Sequence, residues 1–227
     1  IGVPAYNAKA FVEKTMNALC NQDYPHLEII VMDDGSNDGS ETILKRFAQT
    51  NSKVRYYRNH SNIGPLKNYA RVLEFSQGEY FAWGSDHDLW HPSFVSKLVA
   101  ALKNEPEAVA VYPRTVLIDH QDQALEVFED AMDTRGQTPG ERVKTMLWHL
   151  SWCNIFYGLF RRMPLLKTDL YRSCLAHDNL LITELSLQGA LFQIPEQLYY
   201  RRHQHVGETM HKQDDRRIRW LVQDPWL

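Results

Sequence analysis

The apolar positions of this chain change their spacing along its length, and each change marks an element. Val12, Met16, Leu19 and Cys20 recur at helical spacing, and Asn21-Gln22-Asp23-Tyr24-Pro25 ends the helix they predict. Residues 27–32 are a short apolar run broken only by Glu28, and their Ile-Ile-Val centre suits a strand buried on both faces. The turn-rich residues 35–40 offer helix caps, and Ile43, Leu44 and Phe47 give the next helix its inner face. Residues 54–58 then read as a strand. Pro65 suits the first turn of a helix carrying Leu66, Tyr69, Leu73 and Phe75, and residues 79–83 read as a further strand. Pro92 opens another helix, with Phe94, Val95, Leu98, Val99 and Leu102 on one side, before a strand at residues 108–112. Strands alternating with helices at this pace predict an α/β fold whose central sheet is mainly parallel and covered by helices on both faces.

From about Arg114 the rhythm changes. Val116-Leu117-Ile118 and Leu125-Glu126-Val127-Phe128 flank the polar residues 119–123 and predict a hairpin. Residues 139–150 read as helix, 154–160 as extended, 178–188 as helix and 198–202 as extended. This divides the chain into residues 1–112 and residues 113–227, two halves of one compact domain, the second with a smaller mixed sheet. Ile1-Gly2-Val3 already reads as the middle of a strand, so both termini are expected to be truncated.

Composition narrows the function. With 227 residues, 44% of them hydrophobic, the chain can bury a sizeable core. A net charge of −3 lacks the basic excess of a nucleic-acid binder. Cys20, Cys153 and Cys174 are odd in number and without metal-type spacing, which predicts buried or half-buried thiols and a cytoplasmic location. No apolar run approaches the ~20 residues of a membrane span. The domain is expected to be soluble, or at most peripheral at the cytoplasmic face of a membrane.

Ligands of open α/β sheets collect outside the carboxyl ends of the strands. Three polar groups fall there: Pro4-Ala5-Tyr6-Asn7 after the first strand, Asp33-Asp34-Gly35-Ser36 after the second and Ser85-Asp86-His87-Asp88 after the fourth. Each also has an ordinary explanation as a turn or cap. In an extended loop Asp86 and Asp88 would share a side and could hold one hard cation, Mg²⁺ or Mn²⁺, against a diphosphate. His87 and His91 are four apart, but Pro92 argues against a helical zinc pair. The dehydrogenase G-x-G-x-x-G, the P-loop and the G-x-S-x-G elbow are all absent.

Taken together, Pro4-Ala5-Tyr6-Asn7, residues 31–39, Asn62-Ile63-Gly64, and Gly78-Glu79-Tyr80 running into Ser85-Asp86-His87-Asp88-Leu89-Trp90-His91-Pro92 resemble the successive motifs of family 2 glycosyltransferases with the GT-A fold. The resemblance implies an inverting transfer of a sugar from a nucleoside-diphosphate sugar, UDP-sugars slightly favoured, to a hydroxyl on a glycan, lipid-linked or protein acceptor. It casts Tyr6 as the aromatic against the nucleobase, Asp34 as the base-contacting carboxylate, and Asn62 and Gly64 as a loop near the donor. Asp86 and Asp88 stand for the metal element, Asp178 in His177-Asp178-Asn179-Leu180 for the general base, and His203 for a residue closing over metal and diphosphate. Counting back from Pro92, the family's Asp positions fall on Ser85, His87 and Asp88, so Asp86 is displaced in register and His87 competes as a ligand. Asp178 opening a helix is equally explained by the helix dipole. Trp90 or Trp152 is a candidate sugar platform. A nucleotide-sugar-binding module without turnover is the alternative.

Overall fold

The computed structural model describes residues 1–150, 153–170, 174 and 176–202. In chain order the elements are β1 (Gly2–Ala5), α1 (Val12–Cys20), β2 (Ile29–Asp33), α2 (Ser40–Thr50), β3 (Val54–Arg58), α3 (Pro65–Glu74), β4 (Tyr80–Phe81), β5 (Leu89–Trp90) and α4 (Phe94–Asn104). Then follow β6 (Ala108–Ile118), β7 (Ala124–Val127), α5 (Pro139–His149), a 3₁₀ turn (Asn154–Tyr157), β8 (Leu159–Arg161), α6 (Arg162–Leu165), α7 (His177–Ser186) and β9 (Ala190–Arg202).

Strands β1, β2 and β3 pair in parallel. Gly2 continues the pairing into the stretch after β4, donating to the Ala82 carbonyl at 2.9 Å and accepting from Gly84 N–H at 2.8 Å. From there the order is β4, β8, β6, β9, β5, with β6 and β9 parallel and the other pairs antiparallel. The hairpin of β6 and β7 forms as predicted.

Burial explains the pattern. All five residues of β2 are buried, because helices cover both faces of the sheet. Val31 packs with Val12, Leu44 and Leu98 of α1, α2 and α4, whereas Met32 packs with Val72 of α3 and Leu181 of α7. The two-residue alternation of the strand thus separates two apolar layers.

Three expectations need correction. The strand beginning at Ala108 runs on to Ile118, straight through residue 112, because bulges around Pro113 and Arg114 let it keep pairing with β9. Residues 154–157 form a 3₁₀ turn before β8 rather than one extended segment. Trp90 is buried and lies against Tyr199, which removes it as a sugar platform. Trp152 lies outside the described residues.

The 3₁₀ turn reaches β8 through Gly158, where a Cβ would overlap the Val111 carbonyl oxygen. Gly158→Ala is expected to cost about 2 kcal/mol through overpacking, a fall in Tm of about 6 °C at this chain length, checked by calorimetry.

Candidate active site

The loops after β1 and β2 are clasped to each other by short polar side chains. Asn7, held at a φ of 51°, donates its N–H to Ser36 Oγ at 3.0 Å and accepts from Asn37 N–H through Oδ1 at 2.9 Å. Ala8 N–H donates to Ser40 Oγ, and Lys9 N–H to Asp38 Oδ2. Asn tolerates the left-handed backbone that this clasp requires. Tyr6 is left on the rim, 46% exposed, beside buried Pro4 and Ala5.

Asp34 is buried, and its carboxylate organises the next loop. Oδ1 accepts from Asn59 Nδ2 at 2.7 Å and Ile63 N–H at 2.9 Å, while Oδ2 accepts from Gly64 N–H at 3.1 Å. Asn62 Oδ1 also accepts from Gly64 N–H, at 2.8 Å. Gly64 sits at a φ of 87°, a conformation that a side chain would strain. Asn59 and Asn68 support the carboxylate from below, with Asn68 Nδ2 donating to the Met32 carbonyl at 2.9 Å. Asp34 therefore holds Ile63 and Gly64 directly, and meets Asn62 only through the shared Gly64 N–H, a link that spacing alone does not reveal.

Asp34→Ala would take the acceptor from Ile63 N–H and one of two acceptors from both the buried Asn59 amide and Gly64 N–H. The expected result is a nucleotide dissociation constant weakened about tenfold, close to 1.4 kcal/mol, with kcat at saturating donor little changed. Titration calorimetry and steady-state kinetics read the two effects separately.

The acidic loop is turned rather than extended. Ser85 Oγ accepts from His87 N–H at 3.2 Å and from Asp88 N–H at 3.0 Å, and this local bond folds residues 85–88 back on themselves. Asp86 and Asp88 therefore do not share a side, which corrects the extended-loop expectation. Asp86 faces the rim, where Oδ2 accepts from Tyr6 N–H at 3.0 Å and Oδ1 lies 2.7 Å from His87 Nδ1. Asp88 is only 2% exposed. Its Oδ2 accepts from Tyr199 O–H at 2.5 Å and its Oδ1 from Arg202 N–H at 2.7 Å. Burial disfavours a charged His87, but Asp88 and Asp86 outweigh it and raise the imidazole above the ordinary histidine range.

Arg202 gathers this end of the molecule. Its Nε donates to the His87 carbonyl at 2.9 Å, its Nη1 to the Asp119 carbonyl, and its Nη2 pairs with Asp122 at 2.5 Å. The β6–β7 turn predicted from sequence thus supplies the acceptors that hold β9 against the acidic loop. Nothing in residue spacing marks Tyr199 or Arg202 for this work, since both depend on β9 crossing to β5.

Asp178 stands in the first turn of α7, its Oδ1 accepting from Asn179 N–H at 2.9 Å. It borders Cys153, whose thiol is pushed well up by burial, by the Asp178 charge and by a hydrogen bond to Asp178. Tyr157 is stacked on Tyr199 at 5.2 Å between ring centres. Its hydroxyl is pushed up to about 12, chiefly by burial, then by Asp88 and, less strongly, by Asp178, against the opposing effect of Arg201. The same phenol ring therefore lies within electrostatic reach of both carboxylates. Arg201 donates to Asn154 Oδ1 at 2.8 Å, and Asn154 Nδ2 donates in turn to Asp130 at 2.7 Å. Glu184 is turned elsewhere and accepts from Asp169 N–H. His203 lies outside the described residues.

Among the described residues no three His, Cys, Asp or Glu side chains are arranged to hold a metal ion by themselves. At the acidic turn the rim carboxylate of Asp86 and the His87 imidazole would be the groups to meet an ion completed by a ligand's own oxygens, with Asp88 buried behind them. Among the described residues no helix is long and apolar enough to cross a membrane.

A glycosyltransferase of Haemophilus influenzae is 26% identical over 214 residues, covering 88% of this chain and 64% of that protein. Staphylococcus aureus TarS, solved in complex with UDP-GlcNAc, superposes with a TM-score of 0.71 at 20% identity, over 92% of this chain and 59% of TarS. The Pyrobaculum calidifontis mannosyltransferase PcManGT, solved with GDP-Man and Mn²⁺, superposes with a TM-score of 0.68 at 20% identity, over 98% of this chain and 61% of that one. The matched stretch thus spans less than two thirds of each of these proteins, and the mixed α/β architecture is that of the two solved structures. The profile of the family described as Glycosyl transferase family 2 matches residues 1–163, the stretch that holds Tyr6, the Asp34 loop and the acidic turn, and the chain belongs to that family.

Proposed function

We propose that this domain transfers a sugar from a nucleoside-diphosphate sugar, a UDP-sugar by preference, to a hydroxyl group on a glycan, lipid-linked or protein acceptor, with inversion at the anomeric carbon. One observation carries the reading. The ends of β1, β2 and β4 are drawn to a single cleft, Asp34 N–H donating to the Ala5 carbonyl at 2.8 Å and Tyr6 N–H to Asp86 Oδ2 at 3.0 Å. That cleft offers an aromatic ring, a carboxylate-ordered loop and an acidic turn in the order needed for base, ribose and diphosphate.

In this reading the Tyr6 ring stacks on the nucleobase, and the 62–64 loop, kept in shape by Asp34, closes around the nucleoside. Asp178 accepts the proton of the acceptor hydroxyl. The freed oxygen attacks the anomeric carbon from the face opposite the diphosphate. The carbon–oxygen bond to the diphosphate breaks, and its electron pair leaves with the nucleoside diphosphate. A divalent cation, Mg²⁺ or Mn²⁺, would be held by the turn of Asp86, His87 and Asp88 and would supply charge neutralisation for that leaving group. His203 is proposed to approach the same group from the C-terminal side. The UDP-GlcNAc and GDP-Man of the two solved neighbours support the donor class, and Mn²⁺ in one of them supports the metal.

A thermal-shift panel of UDP, GDP, ADP and CDP with and without Mn²⁺ tests this directly. Stabilisation by one diphosphate, increased by the metal, is expected. No stabilisation by any of the four would overturn the donor-site reading.

A further inference from the structure

An open cleft of about 200 Å³ lies in the C-terminal half, with Asp130, Met132, Leu150, Cys153 and Asn154 among the residues that line it. Its polar centre is the Asp130 carboxylate. Asn154 Nδ2 donates to Oδ2 at 2.7 Å and Gln193 Nε2 to Oδ1 at 3.0 Å. Tyr112 O–H donates to the Asp130 carbonyl at 2.6 Å and Gln193 N–H to the Met132 carbonyl at 3.0 Å, so the segment that carries the carboxylate is pinned to β6 and β9. Each carboxylate oxygen keeps a second acceptor position. Asp130 is half-buried, and no Lys or Arg of the described residues forms an ion pair with it. A carboxylate fixed in direction, uncompensated in charge and open to a cleft has acceptor capacity left for the donors of a ligand. The cleft also shares its wall with the proposed base. The Leu150 carbonyl accepts from Asn179 Nδ2 at 3.3 Å and the Cys153 thiol borders Asp178, so this wall touches the first turn of α7 at two points. Asn154 joins the cleft to the acidic turn as well, its Oδ1 accepting from Arg201, which lies 5.9 Å from the Tyr157 ring centre.

Resting on the sugar-transfer reading above, we propose that this cleft is an acceptor subsite for a sugar ring. Asp130 accepts from neighbouring ring hydroxyls, Met132 and Leu150 meet the C–H surface of the ring, and a further hydroxyl of the same or the adjoining sugar reaches Asp178. A few fixed polar groups on an apolar lining are what orient a small neutral ligand. A phosphate would meet the Asp130 charge, and an alkyl chain would cover the carboxylate without pairing it. A serine or threonine hydroxyl placed at Asp178 would leave Asp130 unused. The group that receives the sugar is therefore itself a carbohydrate, free or lipid-linked, and Asp130 is the residue that selects it.

The test uses the full chain loaded with Mn²⁺ and UDP, or with GDP if only GDP stabilises it. Saturation-transfer magnetic resonance is run with the methyl glycosides of glucose, galactose, mannose, rhamnose and N-acetylglucosamine, and with N-acetylserinamide and butan-1-ol as hydroxyl compounds without a ring. At least one glycoside is expected to bind, and the two ringless compounds to give no signal. Asp130→Ala and Asp130→Asn should each weaken that glycoside's dissociation constant about tenfold while leaving nucleotide affinity within about twofold of the parent. Near-ultraviolet circular dichroism checks that both variants are folded. Labelling with ¹³C-methyl methionine gives a second readout in the unmodified chain, where the Met132 methyl, assigned through Met132→Leu, should shift on titration with the glycoside. Nucleotide binding without any glycoside binding, glycoside binding that survives in both folded Asp130 variants, ringless compounds that bind as well as the glycosides, or a Met132 methyl that does not respond would each overturn the subsite while leaving the donor site standing. Failure of both nucleotides to bind would overturn the two together.

Discussion

Asp88→Asn is expected to destabilise the domain by about 3 kcal/mol and to abolish transfer through loss of the acidic turn, even though the substitution is nearly isosteric. Both Asp88 oxygens receive donors, Tyr199 O–H and Arg202 N–H, in a site that water does not reach. An amide can offer only one oxygen there. Its NH₂ group must face either a hydroxyl, which can rotate, or a backbone N–H, which cannot, and the second arrangement sets donor against donor. The change also removes the negative charge that lies near His87 and Arg201. Urea unfolding followed by fluorescence reads the loss as a lower midpoint with an unchanged slope. Asp86→Asn is the useful contrast, because Asp86 sits at the rim and carries no strand. It should leave the urea midpoint within about 0.5 kcal/mol of the parent while weakening metal-dependent nucleotide binding. A stability loss in Asp86→Asn equal to that in Asp88→Asn would sink this division of labour.

The contrast also explains which parts of the site were legible in the sequence. Periodicity exposed α1, α2, α3 and α4 because each has an apolar face on a buried strand, and that face must repeat at helical spacing. The run at residues 27–32 was legible for the opposite reason, since a strand covered on both faces loses its alternation. Asp34, Asn62 and Gly64 could be placed as parts of one cleft because strand ends and turn residues mark them. The hydrogen bonds from Ile63 and Gly64 to Asp34 could not, since they span 29 and 30 residues of chain.

The acidic turn shows the limit more sharply. Treating residues 85–88 as extended put Asp86 and Asp88 on one side, but a single serine hydroxyl accepting two backbone N–H groups reversed one of them. Local side-chain competition of this kind leaves no periodic trace. Asp88 was then buried by Tyr199 and Arg202, more than 110 positions away, through a strand of 13 residues of which only the last five had been anticipated. Ala190 to Gln197 alternate poorly because β9 follows β6 along its whole length through register shifts opposite Pro113 and Arg114, and gains β5 on its other side only at Tyr199 and Tyr200.

The largest effect on the chemical step of a folded domain is expected at Asp178. Asp178→Asn should lower kcat by about 10³ with donor binding unchanged, because an amide cannot take the acceptor proton whereas it can still pair with Asn179 N–H. The position of the carboxylate favours this role over capping alone. A residue serving only the helix dipole would have no reason to sit against the buried Cys153 and within electrostatic reach of Tyr157. The Cys153 thiol stays protonated under these influences and can donate to the carboxylate, leaving the second oxygen for the acceptor hydroxyl. Hydrolysis of the donor by water needs less help from the base than attack by a bound hydroxyl, so the hydrolytic side reaction should fall less than transfer does. Measuring both rates in one assay separates base loss from misfolding, which would reduce them in parallel. Parallel reduction, or transfer retained within about tenfold, would return Asp178 to the helix-capping role.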